Sequence, residues 1–236
     1  MAWLVRTWNL FHGNTVPPGR RAYLEAMIRL ATADRPAVVC LQEVPAWAVG
    51  RLERWSDMTA IGIVAAYPRL GSAELGRLLT EVNHGVLRSA FTGQANAILV
   101  DRALDATDDR AEQISDAGER RVCQAVRVAG VGVVANFHAT GGALADGQFR
   151  RAVAFAEAVA ADGEPLVLCG DVNLTPGQSS LYAELRDRGY SPPAPGIDQI
   201  LVRGLPATAP TVWAAERRRV DGRLLSDHAP VDVEVG

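Results

Sequence analysis

The sequence predicts an α/β fold in which two β-sheets pack face to face with helices outside them. Three observations carry that prediction. Short apolar runs such as Val38 to Leu41 in "AVVCLQE" and Leu166 to Cys169 in "LVLC" are continuous instead of alternating, as in strands covered on both faces. Strands are consecutive in the middle of the chain and separated by helices at each end. No internal repeat, low-complexity tract or long linker divides the 236 residues, so one domain spanning 1–236 is expected.

Each element has its own signal. In "WLVRTWNL", Leu4, Arg6 and Trp8 alternate with Val5, Thr7 and Asn9, which makes a first strand. The break "PPGRR" opens a helix through "RAYLEAMIRLATAD", with Leu24, Met27, Ile28 and Ala31 on one face. "AVVCLQE" is the next strand. From "PAWAVGRLERW" to "AELGRLLTEVNHG" the pattern gives two helices around a strand, "MTAIGIVAA". "ANAILV", "RVCQAVRV" and "GVGVVANFHAT" follow as strands, the last two joined by a turn near Gly130. "DGQFRRAVAFAEAVAADG" is an amphipathic helix with Phe149, Val153, Ala156 and Val159 apolar and a glycine behind it. The strand "PLVLCGDVN", the helix "SSLYAELRDRG", the strand "GIDQILVRG" and the mixed stretch "APTVWAAE" come next. In "SDHAPVDVEV", Val231, Val233 and Val235 alternate strictly, so the chain closes on a strand.

Composition excludes several function classes. Hydrophobic residues are 48% and charged residues 22%, the balance of a globular protein and not of a disordered one. A net charge of −3 and a pI near 5.8 leave no global positive field for tight, sequence-independent DNA binding. All 24 basic residues are arginine. Cys40, Cys123 and Cys169 lie in apolar stretches without CxxC spacing, which describes reduced core thiols instead of a disulfide framework or a zinc site. No segment reaches the roughly 18 apolar residues of a membrane span, and "MAWLVRTWNLFHG" lacks the form of a secretion leader. A cytoplasmic location is expected, and nothing in the sequence calls for a protein partner.

Six strand ends or turns carry polar residues: Asn9, Glu43, His138, Asp171 with Asn173, Asp198, and Asp227 with His228. Singly, each has a plain structural explanation. An Asp after a strand accepts a turn N–H, Glu43 before Val44-Pro45 suits a first helical turn, and a lone His138 suits a satisfied core position. On a strand, residues two apart point to the same side, so Asp171 and Asn173 are expected to face one cleft together. Together, four carboxylates, two asparagines and two histidines form the inventory of a magnesium-dependent phosphoryl site.

The segments "TWNLFHG", "CLQEVP", "ANFHAT", "CGDVNLTP", "GIDQILV" and "LSDHAPV" occur in an order and at separations that resemble the endonuclease/exonuclease/phosphatase superfamily. That superfamily includes deoxyribonuclease I, apurinic endonucleases, neutral sphingomyelinases and inositol polyphosphate 5-phosphatases. The resemblance runs from residue 3 to residue 235 and implies a four-layer α/β sandwich, two mixed sheets between helices. It implies Glu43 as principal ligand of Mg²⁺ (or Mn²⁺), Asn9 helping to hold the ion and its waters, and Asp227 completing the metal side. Asp171 would orient the attacking water or bind a second ion. Asn173 would donate to a phosphate oxygen, and His138 would contact the scissile phosphate from the other side. His228, oriented by Asp198, would act as general base or stabilise developing charge. Arg121, or its neighbour Arg120, matches a phosphate-binding arginine.

Gly196 and Gln199 depart from the usual residues around Asp198. His12 and the run Arg217 to Arg219 are further candidates, each balanced by an ordinary surface or loop role. The expected activity is hydrolysis of a phosphodiester, with nucleic acid as one candidate substrate. The alternatives are a small-molecule phosphatase acting on a nucleotide, inositol phosphate or lipid headgroup, and a catalytically silent binding module.

Overall fold

The computed structural model describes residues 2–68, 74–78 and 92–236. Strand β1 (Trp3–Asn9) lies between β3 (Val38–Val44), which runs parallel to it, and β14 (Val231–Val235), which runs antiparallel. With β4 (Thr59–Ala66), β5 (Gln94–Val100) and the two-residue β11 (Thr211–Val212) they form a six-stranded sheet in the order β11-β14-β1-β3-β5-β4. The second sheet has the order β10-β9-β8-β7-β6, built from β6 (Ala106–Gln113), β7 (Val122–Val128), β8 (Gly132–His138), β9 (Leu166–Asp171) and β10 (Asp198–Arg203). A small third sheet pairs β12 (Arg219–Val220) and β2 (Thr15–Val16) with β13 (Arg223–Leu225).

Three apolar layers follow from this stacking. Val5, Cys40 and Ile98 of the first sheet meet Val126, Val134, Val167 and Ile200 of the second in the central layer. Outside the first sheet, Met27 and Ile28 of α1 (Leu24–Thr32) and Leu52 of α2 (Leu52–Ser56) cover Trp8, Leu41 and Leu99. Outside the second, Phe149 and Val153 of α3 (Ala145–Val159) and Leu181 of α4 (Leu181–Asp187) cover Phe137 and Leu168, with Phe137 stacked on Phe149 at 5.9 Å. Strands covered by a sheet on one face and helices on the other have no solvent side. This is why β5 and β9 are buried at every position and why β9 opens on an unbroken apolar run, Leu166 to Cys169. The architecture is the mixed two-sheet sandwich with flanking helices that the sequence leads one to expect.

The polar centre of the sandwich ties its halves together beneath the strand ends. Asn136 on β8 donates to the carbonyls of Leu41 and Ala97 in the opposite sheet, both at 3.0 Å, and accepts from Gln42 at 2.8 Å. Gln42 also donates to Thr7 at 3.0 Å. In a low-dielectric interior such satisfied bonds fix the spacing of the two sheets more sharply than apolar contact does.

Several local expectations differ from the structure. Strand β6, "ATDDRAEQ", has no apolar period and was not expected; it is an exposed edge whose charges protect it from pairing with another chain. The helix expected over "PAWAVGRLERW" is a 3₁₀ segment, Ala46–Arg51, followed by the short α2, because Pro45 and Gly50 weaken regular helix. Of the helix expected over "AELGRLLTEVNHG", residues 74–78 are helical and the remainder lies outside the described residues. The small third sheet consists of strands too short to show a period. Among the described residues no helix is long and apolar enough to cross a membrane.

Candidate active site

Topology alone brings the six sequence-selected strand ends and turns to one pole. β1 and β3 are parallel and end together, as do β8 and β9, whose register sets His138 opposite Asp171. β10 is antiparallel to β9 and therefore begins at that pole, with Asp198 opposite Asp171. β14 is antiparallel to β1, so the loop that enters it, carrying Ser226, Asp227 and His228, lies there too.

Local backbone then aims the side chains. Phe11, His12, Glu43, Asn173 and Ser226 all have φ between 50° and 58°, a region that L-residues enter at a cost. Glu43 lies where the β3–β5 register shifts between Leu41 and Val44, and this bulge turns its carboxylate out of the pleat. β9 stops at Asp171, so the strand period does not extend to Asn173; instead Asn173 N–H donates to Asp171 Oδ1 at 3.0 Å in an Asx turn. Both roles offered for Asp171, turn former and site residue, are therefore filled by its two oxygens.

The other oxygen, Oδ2, is the centre of the cluster. It accepts from Asn9 Nδ2 at 3.0 Å and lies 3.4 Å from His138 Nε2 and 3.8 Å from His228 Nε2. Asn9 also donates to Glu43 Oε1 at 3.3 Å, and its own oxygen accepts the Phe11 N–H, so its amide group clamps two carboxylates. His228 is held through Nδ1 by Asp198 at 2.9 Å, leaving Nε2 facing Asp171 and, at 4.0 Å, Asp227. His138 is backed by Arg121 at 2.9 Å, and Arg121 is fixed by Gln94 and Thr140. Arg120, the other match for that position, points away to the carbonyls of Val64 and Ala65. Asn173 turns its amide nitrogen to the Ala139 carbonyl at 2.8 Å, not to the carboxylates.

Some residues support the site in ways the sequence did not indicate. Ser226 Oγ donates to the Asn9 carbonyl at 2.7 Å and accepts the His228 N–H, joining the two edges of the site. Arg218 is buried and donates to the carbonyls of Leu225, Ser226 and His228, so it clamps the loop that carries the histidine. Arg217 lies 3.5 Å over the Trp213 ring and pairs with Asp34. Two members of the arginine run are thus committed to structure. His12 is brought in: its Nε2 lies 3.3 Å from Glu43 Oε2 and its Nδ1 3.2 Å from Thr92 Oγ1. Backbone-directed hydroxyls and guanidiniums leave no spacing signal, which is why the linking role of Ser226 and the clamping role of Arg218 are hidden in a single sequence, although Arg218 itself stood out in its arginine run.

The electrostatics test whether a cation fits. Asp171 is 1% exposed, and burial with the nearby Asp198 carboxylate pushes its pKa up to about 7. Burial opposes the His228 imidazolium, but the hydrogen bond and charge of Asp198, with Asp171 and Asp227, outweigh it and raise its pKa to about 9. Burial, with Arg121 beside it, holds His138 well below the usual histidine range. The cluster thus carries surplus negative charge that protons partly offset. Asp171, Asp198 and His228 present donor atoms within 4.8 Å of one another, and Glu43 joins through Asn9. A donor set dominated by carboxylate oxygen suits Mg²⁺ or Mn²⁺, so the residues fit the implied ion.

A group with a raised folded pKa contributes stability that is present below its unfolded pKa and lost as pH rises through the folded one. For Asp171 that window runs from 3.8 to about 7, and for His228 from 6.5 to about 9. In EDTA the melting temperature falls between pH 6.5 and 9, and Mg²⁺ restores more of it at pH 9 than at pH 6.5 by binding the folded state. Asp171→Asn and Glu43→Gln shrink the Mg²⁺-induced shift; full retention of the shift in both, read by calorimetry, would count against this metal site.

The model of the endonuclease/exonuclease/phosphatase family matches residues 7–228. No curated protein matches the chain. Among solved structures, it is similar to a functionally unknown conserved protein from Enterococcus faecalis V583, at 18% identity and a TM-score of 0.72 over 99% of both chains. A mannosyl-6-phosphatase from Bacteroides thetaiotaomicron VPI-5482 is similar at 16% identity and a TM-score of 0.70, again over 99% of both chains. TDP2 from Caenorhabditis elegans is similar at 15% identity and a TM-score of 0.66, over all of this chain and 74% of that one. At such identities these likenesses speak for the fold, whereas the family match spans the site segments from Thr7 to His228. The chain belongs to the endonuclease/exonuclease/phosphatase family, whose members are generally divalent-metal-dependent phosphoester hydrolases.

Proposed function

We propose that the chain is a divalent-metal-dependent phosphodiesterase that hydrolyses a P–O bond by histidine-assisted attack of water. The observation that carries this reading is His228, fixed at Nδ1 by Asp198 and open at Nε2 toward Asp171. The fixed Nδ1 contact selects one tautomer and orients the ring for proton transfer at Nε2. Glu43, Asp171 and Asp227, with Asn9 clamping the first two, are the residues that would hold the ion. When bound, Mg²⁺ or Mn²⁺ supplies neutralisation of charge on the phosphoryl oxygens and acidifies water. His138, kept neutral by burial and the Arg121 charge, can donate to a phosphate oxygen, and Asn173 borders it. Water attacks phosphorus as its proton passes to His228 Nε2, the bond to the leaving oxygen breaks, and the leaving oxygen takes up a proton from solvent.

A small-molecule ester is favoured over a polynucleotide by a specific observation. Arg121 and Arg218, the guanidiniums that touch site residues among the described residues, are both buried and committed to protein partners. Tracking a polymer needs several free cations along the cleft. The free, buried cysteines support a reducing, cytoplasmic setting.

The test is hydrolysis of supercoiled plasmid and of bis(p-nitrophenyl) phosphate, side by side, with Mg²⁺, Mn²⁺ or EDTA. Metal-dependent cleavage of the small diester is expected, with plasmid a poor substrate. Metal-dependent nicking of plasmid at least as efficient would make it a nuclease; turnover of phosphomonoesters alone would make it a phosphatase.

A further inference from the structure

We infer that a cavity beside His228 receives an uncharged, apolar organic substituent of the phosphoester, an inference that rests on the phosphoesterase reading of the site. The cavity measures about 330 Å³ and is walled by Ile197, Val212, Ala229 and Val231 together with Asp198 and His228. It opens at an edge of the sandwich, since β10 and β11 are the edge strands of their two sheets and β11 is only two residues long.

Its chemistry is one-sided. The aliphatic wall supplies no hydrogen-bond donors, and Gly196 at the rim contributes no side chain. Among the described residues, the charged groups on its lining are the carboxylates of Asp198 and Asp227 and the imidazole of His228, with no arginine, and the chain contains no lysine. A second phosphate, as on a polyphosphorylated ring or a pyrophosphate, would therefore meet two carboxylates and no guanidinium. An uncharged group meets no such penalty. Val212 is 45% exposed at the mouth, an apolar side chain whose placement beside the concavity gains meaning from an apolar occupant.

Size narrows the class further. An apolar cavity of about 150 Å³ already accepts benzene, so this volume takes a single aromatic ring or a short alkyl group with its linking oxygen. It is at the lower end of ligand pockets, near 300 Å³. Because Asp198 and His228 form part of the wall, the occupant contacts the histidine while its phosphoryl group faces Asp171.

The deciding experiment compares the affinities of phenylphosphonate and methylphosphonate by calorimetric titration in Mg²⁺, with bis(p-nitrophenyl) phosphate turnover measured on the same preparations. The wild-type protein should prefer the phenyl compound by about tenfold, which is about 1.4 kcal/mol. Val212→Asp, which puts a third carboxylate at the mouth, should bring that ratio near one. Val16→Asp, at an exposed apolar residue outside the cavity, should leave the ratio as it was. A ratio taken within each variant cancels losses from partial unfolding. Equal affinities in the wild type, no binding of either compound, or an undiminished ratio in Val212→Asp would each overturn the cavity's assignment. Phenyl preference lost in Val212→Asp, but with no turnover of any phosphoester, would instead leave the cavity standing and remove the hydrolase reading.

Discussion

Replacing His228 with alanine lowers kcat for phosphodiester hydrolysis by about 10²–10⁴-fold and leaves KM nearly unchanged, the loss expected when a positioned proton-transfer group is removed. One ring makes two decisive contacts. Nδ1 sits 2.9 Å from Asp198 Oδ2, and Nε2 faces the carboxylates of Asp171 and Asp227 at 3.8 and 4.0 Å. The loop behind it is clamped by Arg218 and Ser226 and by Trp8, whose indole N–H donates to the His228 carbonyl at 3.0 Å. With so many anchors on the backbone, truncating the side chain removes the imidazole without releasing the loop. Asp198→Asn should cost less in kcat but should lower the His228 pKa, because the hydrogen bond and charge of Asp198 are the leading influences that raise it. Steady-state kinetics on purified variants, with the His228 titration followed by NMR in EDTA, checks both. A His228→Ala loss below tenfold would mean that proton transfer is carried elsewhere and would shift attention to His138 or His12.

The convergence of the candidate site residues was largely legible in the sequence because they stand at the ends of strands, several of which carry continuous apolar runs. Parallel β1 and β3 and parallel β8 and β9 bring Asn9, Glu43, His138 and Asp171 to one pole, and the antiparallel β10 and β14 add Asp198 and His228 at their starts. What a single sequence conceals is any contact made through the backbone or across the chain. Ser226 joins Asn9 to His228 over a separation of 217 residues, and Arg218 acts only on carbonyls. The charged edge strand β6 was hidden for a different reason, since a strand with no buried face has no hydrophobic period to read. Arg6 was legible as a strand residue, but the alternation gave no sign of where its charge would go.

That charge predicts the largest change in stability. Arg6 is 0% exposed, yet its guanidinium is saturated: Nε and Nη2 pair with Asp232 at 2.7 and 2.8 Å, and Nη1 and Nη2 pair with Asp34 at 2.7 and 2.8 Å. Trp213 lies against it at 4.3 Å and donates its own N–H to Asp232 at 2.8 Å. The residue thereby joins β1, its cross-strand partner β14 and the end of α1. Arg6→Ala removes the cation and leaves the largely buried Asp232 without its bidentate partner, a change that typically costs 3–5 kcal/mol. At about 2–4 °C per kcal/mol for a protein of this size, the melting temperature should fall by roughly 6–20 °C at pH 7. If stranded charge is the cause, Arg6→Met/Asp232→Asn should lose less than Arg6→Met alone, because asparagine keeps an acceptor for the Trp213 N–H without the charge. A melting temperature within about 2 °C of the wild type for Arg6→Ala would show that the pair only balances its own desolvation. In that case β1 would owe its placement, and Asn9 its position, to the apolar contacts of Val5 and Trp8 alone.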